Sequence, residues 1–152
     1  MNLPDTCTDP TRDRDRQTAP AHSITVCTRC RRTGQRCLPG YELISRLRAA
    51  VDLAQRSGLL DADFSVEGVA CMAGCDRPCT VAYRADGKSC YLFGDIDEGV
   101  DINSLIAFAA QYAASEDGWT SATERPQGLS GKTLARIPSA IVIERQARGG
   151  CC

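Results

Sequence analysis

Residues 22–54, HSITVCTRCRRTGQRCLPGYELISRLRAAVDLA, change periodicity across one cysteine-bearing loop, and that change decides the fold. Ser23 to Val26 alternates polar and apolar residues with Ile24 and Val26 on one face, the two-residue repeat of a short strand running into Cys27. After Pro39 and Gly40 the apolar residues fall at Leu43, Ile44, Leu47, Ala50, Val51 and Ala54, which is one stripe down a helix. Gly58 supplies the stop, and Arg56 stands in the last turn, where a cation meets the negative end of the helix dipole.

Working outward, Phe64 to Ala70 reads as a second strand ending at Cys71. Thr80–Tyr83 and Ser89–Phe93 flank Asp86-Gly87, a pair that suits a hairpin turn with both central residues at positive φ. Asp101 is placed to cap a second helix whose stripe runs Ile102, Leu105, Ile106, Ala109 and Ala113 and ends before Gly118. The order β-α-β-β-β-α predicts an α/β sandwich with a mixed sheet. The first strand-helix-strand unit prefers a parallel, right-handed crossover, and the hairpin adds antiparallel edges. From Gly118 to Ile143 the pattern is less regular, and Arg125-Pro126 and Ile137-Pro138 suggest extended chain lying over the domain. The expected organisation is a disordered leader over 1–21, a domain over 22–143 and a flexible tail over 144–152; no internal repeat is visible.

A chain of 152 residues can build one ordinary core without disulfide staples, so its ten cysteines call for another explanation. The first twenty residues carry charges and no apolar run of the kind a signal peptide needs, and no stretch reaches the roughly 18 apolar residues of a membrane span. The expectation is a cytoplasmic protein without membrane association, in a compartment that keeps ordinary thiols reduced. A net charge of −1 argues against general nucleic-acid binding, although Arg29, Arg31, Arg32 and Arg36 make one basic stretch with no acidic residue from His22 to Tyr41. Nothing in the sequence sets an oligomeric state.

Six cysteines form two compact groups: Cys27, Cys30 and Cys37 in CTRCRRTGQRC, and Cys71, Cys75 and Cys79 in CMAGCDRPC. Each group follows a predicted strand. If those strands are parallel neighbours, about 4.8 Å apart, both loops leave the same sheet edge and thiolates from both can meet at one centre. Four thiolates are what a 2Fe-2S cluster requires, two per iron, and soft sulfur ligands also suit zinc.

At this point the sequence resembles the thioredoxin-like 2Fe-2S ferredoxins, through an upstream cysteine pair and a downstream CMAGC followed by a valine strand. More closely, VCTRC, CMAGCDRPCTVA, YLFGD, ERP and ARIP, in that order from about Thr25 to Pro138, resemble a bacterial family of unknown function described as predicted metal-binding proteins. The resemblance implies a thioredoxin-like sandwich with Cys27, Cys30, Cys71 and Cys75 as metal ligands and Cys79 matching the family's third downstream cysteine. In the ferredoxins the upstream pair is more widely spaced, which Cys27 with Cys37 would fit, so Cys37 stands as the alternative to Cys30.

The arginines of the two loops, with Arg77, are expected to offset the charge of such a centre or to dock an acidic redox partner. Gly74 would relieve crowding between Cys71 and Cys75. Cys90 reads as a core thiol and His22, the sole histidine, as structural. Cys7 falls in the leader, and Cys151-Cys152 resembles a prenylated tail without the phosphate loop that would accompany one: Gly131-Lys132-Thr133 is preceded by Pro126 where a glycine is needed. The leading expectation is an electron carrier that transforms no substrate. The others are a zinc module in metal handling or structural adaptation, and a thiol-disulfide oxidoreductase using Cys27-x2-Cys30. A fungal-type binuclear zinc DNA-binding motif is half present at Cys27-x2-Cys30-x6-Cys37 and lacks its second half.

Overall fold

The apolar alternation of Ile24 and Val26 and the helical stripe from Leu43 to Ala54 meet face to face in the computed structural model, which describes residues 21–31 and 38–139. The elements run β1 (His22–Cys27), α1 (Pro39–Arg56), β2 (Phe64–Val69), β3 (Val81–Ala85), β4 (Cys90–Phe93), α2 (Ile102–Ala114), a short 3-10 turn (Gln127–Leu129) and β5 (Thr133–Ile137). The sheet order is β2-β1-β3-β4-β5, with β1 and β2 parallel and every other pair antiparallel. The α/β class and the mixed sheet are as expected. The hairpin is not an edge, however: β3 lies inside the sheet against β1, and β5 closes the far side.

One face of the sheet carries Ile24, Val26, Val66, Val81, Tyr83, Tyr91 and Phe93, all buried, and both helices pack there. Leu43, Leu47 and Val51 of α1 and Leu105, Phe108 and Tyr112 of α2 complete the core. Phe108 meets Tyr83, Tyr91 and Phe93 edge-to-face at 4.8, 5.1 and 4.9 Å, the geometry that sets a positive ring edge on a negative ring face. The tyrosine hydroxyls in this cluster are satisfied: Tyr83 donates to the Leu105 carbonyl at 2.8 Å and Tyr112 to the Ser89 carbonyl at 2.9 Å. Burial pushes both phenols far above their ordinary range, so they stay neutral donors.

At the hairpin end, Lys88 donates to the carbonyls of Tyr112, Ala113 and Ser115 at 2.9, 2.9 and 2.6 Å, closing the C-terminus of α2 where no intrahelical partner exists. His22 lies 4.8 Å from the Phe64 ring and edge-on to Tyr112 at 6.0 Å, an aromatic environment consistent with a structural role.

Four local expectations change. Only Gly87 of the Asp86-Gly87 pair has positive φ, and the Lys88 N–H bonds the Ala85 carbonyl, a type II-like turn inside a four-residue loop. Asp101 precedes α2 without a side-chain cap bond; its carboxylate accepts from the Asp97 N–H and from Lys132. Cys90 is half-buried on the face opposite the core, because Tyr91 and Phe93 take the inward positions of β4. The segment after Gly118 does not merely lie over the domain, since Thr133–Ile137 joins the sheet on β4. Residues 1–20, 32–37 and 140–152 lie outside the described residues, and with them Cys7, Cys37, Arg32, Arg36, Cys151, Cys152 and the proposed leader and tail boundaries.

Candidate functional site

The sheet order explains how distant cysteines meet. β2 and β3 flank β1 on opposite sides, so the loop joining them, residues 70–80, must cross the end of β1 where Cys27 stands. Backbone bonds hold that crossing closed on both sides: the Thr28 N–H donates to the Val69 carbonyl at 2.8 Å and the Cys27 N–H to the Thr80 carbonyl at 3.1 Å. The start of α1 presses on the same point. A Cβ on Gly40 would stand 2.1 Å from the Cys27 carbonyl oxygen, so only glycine lets the helix approach this closely. Gly74 has the role expected of it, since a Cβ there would lie 2.5 Å from Thr80 Cγ2.

The thiols fall into an inner and an outer pair. Cys27 and Cys30 are 2 % and 4 % exposed; the Cys27 thiol donates to the Ala70 carbonyl at 3.5 Å and the Cys30 sulfur lies 3.9 Å from the Thr80 hydroxyl. Burial opposes a charge on Cys27. The Cys30 thiol and the backbone N–H groups of Arg29, Cys30 and Met72 outweigh it and hold Cys27 below the ordinary thiol range. Burial and its bond to Cys27 push Cys30 the other way. Cys71 and Cys75 are exposed, and Cys75 is raised by its hydrogen bond to Cys71 and by the charge of Cys71. The Ala73 N–H turns onto the Cys71 sulfur at 3.3 Å, with Ala73 in the left-handed region at φ 58°, a conformation that costs an alanine about 1 kcal/mol. The Cys27 charge adds a smaller part to the raising of Cys75.

The structure thus brings together Cys27, Cys30, Cys71 and Cys75, two by two. Among the described residues, no three His, Cys, Asp or Glu side chains stand close enough to hold a single metal ion. Cys79 is 1 % exposed within the core, with its carbonyl accepting from Ile96. Arg29 and Arg31 are exposed beside the inner pair, in a concavity shared with Thr28, Leu38 and Tyr41. Arg77 is committed elsewhere: it pairs with Asp95 at 2.6 Å and donates to the Gly131 carbonyl at 2.7 Å. Gly40 and Thr80 are parts of the site that sequence reading passed over. Gly40 looked like a helix-start residue and Thr80 like the first residue of a strand, and nothing local marks either as touching a cysteine loop.

A family model with the description "Protein of unknown function (DUF1636)" matches residues 24–139. No curated protein matches the sequence. Among solved structures, a thioredoxin-like [2Fe-2S] ferredoxin from Aquifex aeolicus superposes with a TM-score of 0.50 at 13 % identity, covering 81 % of this chain and 100 % of that one. A further structure of the wild-type thioredoxin-like [2Fe-2S] ferredoxin from Aquifex aeolicus gives 0.45 at 14 % identity, over 61 % of this chain and 88 % of that one. The fold is therefore similar to the thioredoxin-like one. Among the described residues, no helix is long and apolar enough to cross a membrane.

Proposed function

The chain belongs to the family of proteins of unknown function DUF1636, and from that premise we propose that it is a ferredoxin-like electron carrier holding a 2Fe-2S cluster on two cysteine pairs. The observation that carries the reading is the two-by-two arrangement of Cys27 with Cys30 and Cys71 with Cys75 on a sheet similar to that of a ferredoxin. A dinuclear cluster takes two thiolates per iron, and this donor set fits it in number, softness and pairing. A mononuclear zinc site would instead draw all its ligands around one ion. When bound, the cluster would supply uptake and release of single electrons.

The chain's own residues would divide the remaining work. Cys27 and Cys30 form the buried wall, supported by backbone donors. Cys71 and Cys75 form the solvent side, through which an electron has the shorter way to a partner. Arg29 and Arg31 with Tyr41, which is 62 % exposed, make a basic rim suited to an acidic redox protein. Exposed thiols of this kind require a reducing compartment such as the cytoplasm. Cys37 and Cys79 remain in the candidate ligand set, to be distinguished by replacement.

Thiol-disulfide exchange is the second reading, favoured by the lowered Cys27 thiol beside Cys30. Burial of both sulfurs counts against it, because an incoming disulfide needs a line of approach, and α1 begins at Pro39 rather than at Cys30.

The deciding experiment is anaerobic purification with a visible spectrum and iron, sulfide and zinc analysis of one sample. Visible charge-transfer bands with two irons and two sulfides per cluster are expected. A colourless protein with stoichiometric zinc would retire the electron-transfer reading, and insulin reduction lost in Cys27→Ser would favour the exchange reading.

A further inference from the structure

Thr80 touches both loops of the thiol site. Its side chain is fully buried, with Oγ1 3.9 Å from the Cys30 sulfur, and its N–H also faces Cys30. Its carbonyl accepts from the Cys27 N–H at 3.1 Å. Its methyl group lies beneath Gly74, at the centre of the loop that carries Cys71 and Cys75. One residue therefore contacts the inner pair through three polar groups and, through an apolar one, Gly74 in the loop between Cys71 and Cys75.

In the thiol form, either Cys30 or Thr80 can be the donor. Once Cys30 binds a metal it has no proton left, so only the hydroxyl can donate, and a charge-assisted bond to a thiolate is stronger than one between neutral groups. Reduction adds negative charge to the sulfurs, so a donor aimed at one of them stabilises the reduced form more than the oxidised form. Hydrogen bonds to the sulfurs are among the features that set the potential of such a centre.

We infer that Thr80 is a positioning and tuning residue of the thiolate site, its hydroxyl donating to Cys30 to raise the reduction potential while its methyl group seats the Cys71–Cys75 loop. The inference rests on the proposed cluster and separates the two halves of one side chain, which two substitutions can divide. Thr80→Val keeps the methyl and removes the hydroxyl, whereas Thr80→Ser keeps the hydroxyl and removes the methyl.

The test is the midpoint potential of the anaerobically purified protein and of both variants, with iron and sulfide content and far-ultraviolet circular dichroism measured alongside. Thr80→Val is expected to keep its cluster and shift to a lower potential. Thr80→Ser should retain the wild-type potential and lose cluster faster to a chelator. If Thr80→Val fails to fold, Thr80→Ala replaces it, with the same lowered potential expected. A loaded, folded Thr80→Val or Thr80→Ala protein with unchanged potential overturns the inference and leaves the carrier reading intact. Equal shifts in the Ser and Val variants also overturn it, since a hydroxyl donor would rescue. Wild-type protein without iron overturns the carrier reading and this inference with it.

Discussion

The two ends of the sheet are built on different principles. At the hairpin end, polar side chains bond into the fold: Lys88 closes three carbonyls of α2, and the Tyr112 hydroxyl reaches the Ser89 carbonyl. At the thiol end, sulfurs, which are weak donors and weak acceptors, are joined by the Thr28 and Thr80 hydroxyls, and order comes chiefly from backbone bonds across β1 and from glycines that allow close approach. Side-chain bonds at one end serve stability. At the other, the backbone fixes the loops while the thiols make only weak bonds, which leaves them available to a ligand. Substitutions should therefore separate: hairpin-end changes cost stability and leave the thiol site intact, while thiol-end changes alter the site first.

The largest effect is expected where a thiol itself is replaced. Cys27→Ala, Cys30→Ala, Cys71→Ala and Cys75→Ala should each abolish a stable visible chromophore, whereas Cys37→Ala and Cys79→Ala should retain it. Retention of full iron and sulfide in any of the first four would remove that residue from the ligand set. The inner and outer pairs should differ before any metal is added. In metal-free, reduced protein, an alkylating reagent should modify Cys71 and Cys75 on the order of 100-fold faster than Cys27 and Cys30, because the buried pair reacts only through local opening. Peptide mass mapping after timed quenching reads the contrast, and equal rates would show that the thiol end opens freely.

Gly40→Ala comes next. The added methyl would overlap the Cys27 carbonyl, which belongs to a strand paired on both sides and cannot yield alone. Overpacking of this kind costs about 3 kcal/mol, readable as a lowered urea midpoint at unchanged slope. Because the strain falls on Cys27, the variant should also hold less metal. A stability loss with normal metal content would mean that α1 shifts as a body and spares the loop.

How far this division could be read in advance depends on the range of the forces involved. The passage from β1 through α1 to β2 was legible because a two-residue repeat gives way to a helical one around the first cysteine loop, and both cysteine groups were legible from their spacing alone. β5 was not. Thr133–Ile137 carries little inward hydrophobic signal, and it becomes a strand because β4 offers an open ladder. The contacts of Gly40 and Thr80 exist only once α1 and the 70–80 loop have closed on Cys27, so no local pattern records them. Asp86-Gly87 shows the converse, since the pair marked the hairpin and a longer loop relieved Asp86 of positive φ.

Lys88→Met sharpens the comparison from the hairpin end. It keeps the length of the side chain and removes an ammonium that serves three carbonyls, an exchange expected to cost about 2 kcal/mol. Thermal or urea unfolding measures the loss, and metal content measured on the same sample should match wild type. A Lys88→Met protein of normal stability but low metal content would reverse the proposed division between the two ends.

The smallest effect concerns pH and His22. Burial against Phe64 and Tyr112 lowers its pKa, and the Lys88 charge adds to the lowering. With a folded pKa below the unfolded value of about 6.5, the unfolded chain binds the proton more readily, so folding stability contributed by this residue is complete above about pH 6.5 and declines as the pH falls toward the folded pKa. The ring is only partly buried and solvent screens the Lys88 charge, which keeps the decline smaller than the loss in Lys88→Met. His22→Leu should flatten the dependence of the urea midpoint on pH between about 6.5 and 5. An equally steep dependence in the variant would assign the acid sensitivity to other groups, and a steeper one in Lys88→Met would contradict the repulsion between Lys88 and protonated His22 that adds to the lowering by burial.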